Sequence, residues 1–226
     1  IAPDLTGYGY NEGTKGDFEW NIHVQNLCDT VEYAKKRFQG KIIVGGASMG
    51  GPLAYAAACR CDGLAALVCW CLWDLSDTEY VRNETATKGL TYILLPFLKI
   101  LSKIWGRLRI KTYALISYDT LTDSPKFNAL IKKDPQAGTH ITLNGAVSLL
   151  LQSKMPLPFD AFSLPVLVVQ PGSDRMTPAK YAKKAFARIG SRRKRYIELA
   201  GAAHFPIQRA YYHTWADEFD TFINSL

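Results

Sequence analysis

The sequence predicts an α/β fold: a mostly parallel β-sheet with helices on both faces and a helical insertion over one edge. Three observations carry this. Short apolar runs of strand length at residues 42–44, 64–71 and 165–170, with a fourth short strand at 196–199, alternate with amphipathic segments, and strands covered on both faces read as continuous apolar runs. A Gly-rich turn joins the first run to a small-residue segment, which is the order strand, tight turn, helix. Residues 76–155 then break the alternation, being helical, basic and aromatic without a strong strand. With 226 residues, 48% hydrophobic and 21% charged, the chain has apolar material for one core, which excludes general disorder. No Pro/Gly/Ser-rich linker divides it, so the expected organisation is one core, residues 1–75 and 156–226, carrying the insertion 76–155.

Each element has its own signal. Trp20, Val24, Leu27, Val31, Ala34 and Phe38 recur at steps of four and three, predicting an amphipathic helix over residues 18–38 that Gly40 stops. Ile42, Ile43 and Val44 are β-branched and predict a strand, and residues 52–59 a small-residue helix. Residues 165–170 are a valine-rich strand, followed by a helix over 178–189 opened by Thr177 with Pro178 at its first position. A fourth strand at 196–199 and a terminal helix at 207–226 complete the core. Within the insertion, Leu94, Leu98, Leu101, Trp105 and Leu108 take the spacing of one helix face, while Lys99, Lys103 and Arg107 recur every four residues on another. The apolar stretch 90–110 fails as a membrane span because Pro96, Lys99, Lys103, Arg107 and Arg109 interrupt it.

The net charge of +7 is local rather than general. Lys88, Lys99, Lys103, Arg107, Arg109 and Lys111 have no acidic residue between them, and Arg192, Arg193, Lys194 and Arg195 form a second run, read as solvated surface. No zinc-finger, RNP-like or helix-turn-helix signature accompanies them, which speaks against nucleic acid as a partner. Five cysteines are an odd number in a chain with ample core, so free thiols and a reducing, cytoplasmic compartment are expected. The pairs Cys59/Cys61 and Cys69/Cys71 are too closely spaced for a usual zinc site, and no metal is expected; the second pair reads as buried apolar thiols sharing one strand face.

The chemistry concentrates at Gly46-Ala47-Ser48-Met49-Gly50, a G-x-S-x-G pattern followed by Gly51 and set between a strand and a helix. Such a turn lifts a serine hydroxyl clear of the sheet and leaves the Met49 N–H at the helix start as an oxyanion donor. A serine needs a base oriented by an acid. Asp174 directly follows the valine-rich strand and His204 follows the next, the order Ser, Asp, His that this architecture uses. The rivals are Asp74, after the strand 64–71, and the histidines His23, His140 and His213, which fall on the first helix, in the insertion and on the last helix. No cofactor is called for.

On these residues the chain resembles the α/β-hydrolase superfamily, nearest its monoacylglycerol lipase and serine aminopeptidase-like group. Ala2-Pro3-Asp4-Leu5-Thr6-Gly7-Tyr8-Gly9 is similar to the turn which that group carries after its fourth strand, although Thr6 and Tyr8 stand where arginine and histidine are common, and Ala47 where histidine usually precedes the nucleophile. The resemblance implies a serine esterase acting on lipophilic acyl esters through an acyl-enzyme. The alternatives are an amidase, peptidase or acyltransferase on the same three residues, or a catalytically silent binding protein. The insertion, lying over the carboxyl edge, reads as a lid; its apolar helix face either packs on the core beneath or, through Leu94, Leu98 and Trp105, lines an acyl pocket while the basic rim rests on anionic lipid. About three more strands are expected ahead of Ile1, on roughly 60–90 residues outside this chain or on another one, leaving the edge of the strand 42–44 unpaired.

Overall fold

In a computed structural model, which describes residues 1–84, 90–112 and 117–226, the first half of the chain runs α1 (Trp20–Arg37), β1 (Ile43–Ala47), α2 (Gly50–Ala58), β2 (Ala66–Trp70), α3 (Thr78–Glu84), α4 (Leu90–Trp105), β3 (Arg109–Lys111) and α5 (Pro125–Lys133). There follow β4 (His140–Thr142), α6 (Leu143–Gln152), β5 (Val166–Pro171), α7 (Ala179–Arg188), β6 (Lys194–Leu199) and α8 (Arg209–Asn224). Lys88 lies outside the described residues. Every core strand and helix lies within a few residues of its sequence position, with Pro178 one residue ahead of α7 rather than inside it.

Alternation within the strands builds the layers. The sheet is parallel throughout in the order β1-β2-β5-β6, so β2 and β5 are covered on both sides. Leu67 and Cys69 of β2, with Val166 and Val168 of β5, meet Tyr55 of α2 and Ala185 of α7 on one face. Their neighbours Ala66, Val68, Leu167 and Val169 meet Phe222 and the aromatic side of α8 on the other. Val166, Leu167, Val168 and Val169 are each fully buried, and burying a side chain of this size contributes about 1.5–3 kcal/mol. A second layer forms where Trp20 and Val24 of α1 pack on Leu53, Ala56 and Ala57 of α2. β1 pairs only with β2, so its outer edge is open among the described residues. A groove of about 470 Å³ runs along that edge, lined by Gly45, Ala47, Trp70, Phe205, Trp215 and Phe219 among others.

The segment 76–155 departs from the sequence reading in two ways. It contains a short antiparallel ladder, Arg109 opposite Thr142 and Lys111 opposite His140, where no strong strand was expected; strands this short carry no periodic signal. Of the predicted face, only Leu94, Leu98 and Leu101 are half-buried, whereas Trp105 at the end of α4 and Leu108 beyond it are 59% and 56% exposed. A second apolar stripe, Ile93, Phe97, Ile100 and Ile104, points outward at 62–68% exposure.

Hydrogen bonds and an ion pair tie the segment to the core. The Thr142 N–H donates to the Gly16 carbonyl (2.9 Å) and its hydroxyl to Asp17 (2.8 Å), while the Trp20 N–H at the start of α1 donates to Ser148 of α6 (2.8 Å). Gly16 has a φ of +81°, and a Cβ there would strike the His140 carbonyl, so this junction requires glycine. Lys184 of α7 pairs with Asp77 at 2.6 Å. The Phe205 N–H donates to the Leu121 carbonyl at 2.8 Å, which sets the segment beside His204.

The second basic run is partly absorbed by structure. Lys194 donates to the Phe186 and Ile189 carbonyls at the end of α7, where a cation offsets the helix dipole, and Arg195 pairs with Glu218 of α8.

Candidate active site

β1 ends at Ala47, and the chain must turn at once into α2. Ser48 makes the turn with a φ of +54°, in the left-handed region that costs an L-residue energy and persists only where its surroundings enforce it. The Ser48 N–H still donates to the Trp70 carbonyl at 2.8 Å, continuing the β1–β2 ladder, while its own carbonyl accepts from the Gly51 N–H at 2.8 Å and so starts the helix. These two bonds hold the hydroxyl at the carboxyl end of the sheet. A Cβ on Gly46 would strike the Gly50 carbonyl, and one on Gly51 the Cys71 carbonyl. Gly50 itself faces open space, so the crowding around the turn falls on Gly46 and Gly51.

The structure brings Ser48, His204 and Asp174 into one hydrogen-bonded chain. Ser48 Oγ lies 2.8 Å from His204 Nε2, and His204 Nδ1 lies 2.6 Å from Asp174 Oδ2. The remaining carboxylate oxygen, Oδ1, accepts the Met176 and Thr177 N–H groups at 2.7 and 2.9 Å, which fixes the plane of the acid. The His204 ring is 1% exposed, and its backbone carbonyl accepts the Trp70 indole N–H at 2.9 Å. Asp174 and His204 are thus buried, and Ser48, half-exposed, is the end of the chain open to solvent. The Met49 N–H stands at the start of α2, next to the serine.

Cys71, read from the sequence as a buried apolar thiol rather than a site residue, also meets this chain. Its Sγ lies 3.5 Å from Asp174 Oδ2. Burial first, and the Asp174 charge second, push its thiol well above the ordinary range, so it is a protonated, weak S–H donor toward the carboxylate. Cys69 and Cys71 are both buried, but they do not share a face: the strand ends at Trp70, Cys71 takes a φ of +65°, and its side chain joins Trp73 and Tyr181 rather than the Cys69 cluster. Cys71, Asp174 and His204 hold their ligand-type atoms within 4.8 Å of one another. They fit a metal ion poorly, since Oδ2 and Nδ1 already bond each other and the thiol holds its proton.

The rival residues sit elsewhere. Asp74 accepts the Ser76 N–H and hydroxyl at 2.9 and 2.6 Å, a local turn. His23 is buried, bonded to the Thr6 carbonyl at 2.8 Å and stacked on Phe18 at 4.6 Å. His140 is in β4, and His213 is exposed on α8. Leu94 and Leu98 lie half-buried on α4, which packs against α6, while Trp105 faces solvent. The inner face of α4 therefore keeps the leucines without the tryptophan.

The family model described as serine aminopeptidase, S33, matches residues 1–208. Among solved structures, a monoacylglycerol lipase from Paleococcus ferrophilus superposes with a TM-score of 0.71 at 16% identity, covering 96% of this chain and 80% of that one. A soluble variant of monoglyceride lipase from Saccharomyces cerevisiae, in complex with a substrate analogue, gives 0.68 at 15% identity, covering 98% and 76%. DcsB, in complex with its substrate analogue, gives 0.73 at 18% identity, covering 98% and 78%. No curated protein sequence matches the chain. No helix among the described residues is long and apolar enough to cross a membrane.

Proposed function

The chain belongs to the serine aminopeptidase S33 family, within the α/β-hydrolases, and on that premise we propose that it is a serine esterase that cleaves carboxylic esters of lipophilic acyl groups through an acyl-enzyme. The carrying observation is the unbroken chain Ser48 Oγ, His204, Asp174 at 2.8 and 2.6 Å. His204 Nε2 takes the Ser48 proton as Oγ attacks the ester carbonyl, and Asp174 stabilises the imidazolium that results. The Met49 N–H meets the oxyanion, a contact of the kind worth about 100–1,000-fold in rate. The imidazolium protonates the departing alcohol, and water activated by the same ring then releases the acid. Lipase-like neighbours support ester rather than amide substrates.

The segment 76–155 is the proposed lid, and an anionic lipid surface the proposed contact. The exposed stripe Ile93, Phe97, Ile100 and Ile104, flanked by exposed Lys99 and Lys103, is the composition of a helix that lies in a membrane interface. Leu94 and Leu98, half-buried on the helix that packs against α6, are the proposed lining of the acyl pocket.

A fluorophosphonate probe tests the reading: it labels the wild-type protein, and Ser48→Ala abolishes both labelling and hydrolysis of a monoacylglycerol. Labelling that survives Ser48→Ala overturns the nucleophile. Turnover of peptide amides with esters untouched overturns the substrate class.

A further inference from the structure

Cys28 and Cys61 are 33 positions apart, yet their sulfurs lie 2.8 Å from each other, within 1 Å of a bonded S–S separation of about 2.05 Å. Both are free thiols and both are half-buried, so a small reagent reaches them. The other three cysteines are differently placed. Cys69 is fully buried against the Gly51 carbonyl and Cys71 against Asp174, while burial lifts Cys59 to about 11 beside Tyr55. Cys28 sits midway along α1, on the side that packs against α2. Cys61 lies just beyond α2, its N–H still bonded to the Ala57 carbonyl, at the head of a turn whose Gly63 has a φ of +68°. One partner is therefore held by a helix and the other by a short turn able to close the remaining gap.

We propose that Cys28 and Cys61 form a reversible disulfide site, oxidised by low-molecular-weight disulfides and joining α1 to the end of α2. The Cys28 thiolate attacks the reagent RSSR, breaking its S–S bond and releasing one thiolate as a mixed disulfide forms. Cys61 then attacks the Cys28 sulfur of that mixed disulfide, and the second thiolate departs. Two electrons pass from the cysteines to the reagent, and the two thiol protons end on its two sulfurs. The order follows from the surroundings. In the reduced protein, burial first and the Cys28 sulfur second push Cys61 up to about 12, with Glu32 adding to this and the Lys35 ammonium opposing it. Converting Cys28 to a mixed disulfide removes its thiol and thiolate from that balance and leaves Lys35 beside the resolving sulfur. The site is separate from Ser48, His204 and Asp174. Its effect falls on the packing of α1 against α2, the helix whose first turn follows the serine.

Intact mass and a non-reducing peptide map after incubation with oxidised glutathione at mildly alkaline pH test the proposal. The expected product is lighter by two hydrogen atoms, links the Cys28 and Cys61 peptides, leaves Cys59, Cys69 and Cys71 alkylatable after denaturation, and reverts with dithiothreitol. Its thermal midpoint rises by on the order of 10 °C over the reduced protein, as expected for closing a loop of this length. Cys28→Ser and Cys61→Ser each end instead in a persistent glutathione adduct on the remaining partner, with no rise. Persistent adducts on both cysteines of the wild type, a bond involving Cys59, Cys69 or Cys71, or no reaction at all would each overturn the proposal.

Discussion

Asp174→Asn replaces one carboxylate oxygen with an amide nitrogen, and the structure dictates which one. Oδ1 receives the Met176 and Thr177 N–H groups at 2.7 and 2.9 Å, so an NH₂ at that position would face two donors. The asparagine oxygen keeps that place, and its NH₂ occupies the Oδ2 position 2.6 Å from His204 Nδ1. A donor there requires Nδ1 to present a lone pair, which moves the ring proton to Nε2. Nε2 then donates to Ser48 Oγ across the 2.8 Å contact and can no longer accept its proton. Forcing the wrong tautomer in a site of this type costs on the order of 10⁴-fold in turnover, about 5.5 kcal/mol of barrier. The fold should survive, because the two backbone donors keep their acceptor and only the weak Cys71 S–H loses its own. Measured as kcat/KM on a short soluble ester, with the thermal midpoint taken in parallel, the variant should lose about four decades of activity and only a few degrees of stability. A loss under about tenfold in a folded variant would refute the orienting role of Asp174.

Gly51→Ala should lower the thermal midpoint by several degrees and reduce activity, because its Cβ meets the Cys71 carbonyl, whereas Gly50→Ala, with room for a Cβ, should be neutral or slightly stabilising; differential scanning calorimetry separates them. His23 is held below its ordinary value by burial, opposed by its bond to the Thr6 carbonyl. The unfolded chain therefore takes up that proton first, and stability present above about pH 6.5 falls as the pH drops toward the folded value; in urea melts from pH 8 to pH 5, His23→Gln should flatten that part of the profile. Replacing Ile93, Phe97, Ile100 and Ile104 together by serine removes only side chains already facing solvent, so the midpoint should hold while sedimentation with anionic vesicles falls. Lys99, Lys103 and Arg107 changed to glutamine should likewise slow hydrolysis of lipid-presented esters and spare a short soluble one, and equal rates on both would remove the membrane contact from the proposal.

How far a sequence shows its fold and site depends on the length over which each constraint repeats. The valines of β5 and the steps of α1 repeat over six and eighteen residues, so period and burial agree. Ser48, Asp174 and His204 were legible because each lies in the loop or turn that follows a strand, and a parallel sheet delivers every strand end to the same edge. What stayed hidden depends on contacts between distant residues or on single torsions. α4 is apolar on two sides, and a spacing rule that finds Leu94, Leu98 and Leu101 also collects Trp105 and Leu108, because sequence cannot say which side α6 will cover. Cys71 looked equivalent to Cys69 until one left-handed residue turned it out of the strand and toward the carboxylate. It is Gly51, just outside the G-x-S-x-G pattern, rather than Gly50 within it, whose Cβ would strike the Cys71 carbonyl beyond β2, a distance no motif encodes. The Cys28 and Cys61 sulfurs meet only when α1 lies on α2. In each case the missing information is which surface a helix or strand end will meet, and it is at such junctions, rather than within the repeating elements, that the thiol chemistry and the support of Asp174 reside.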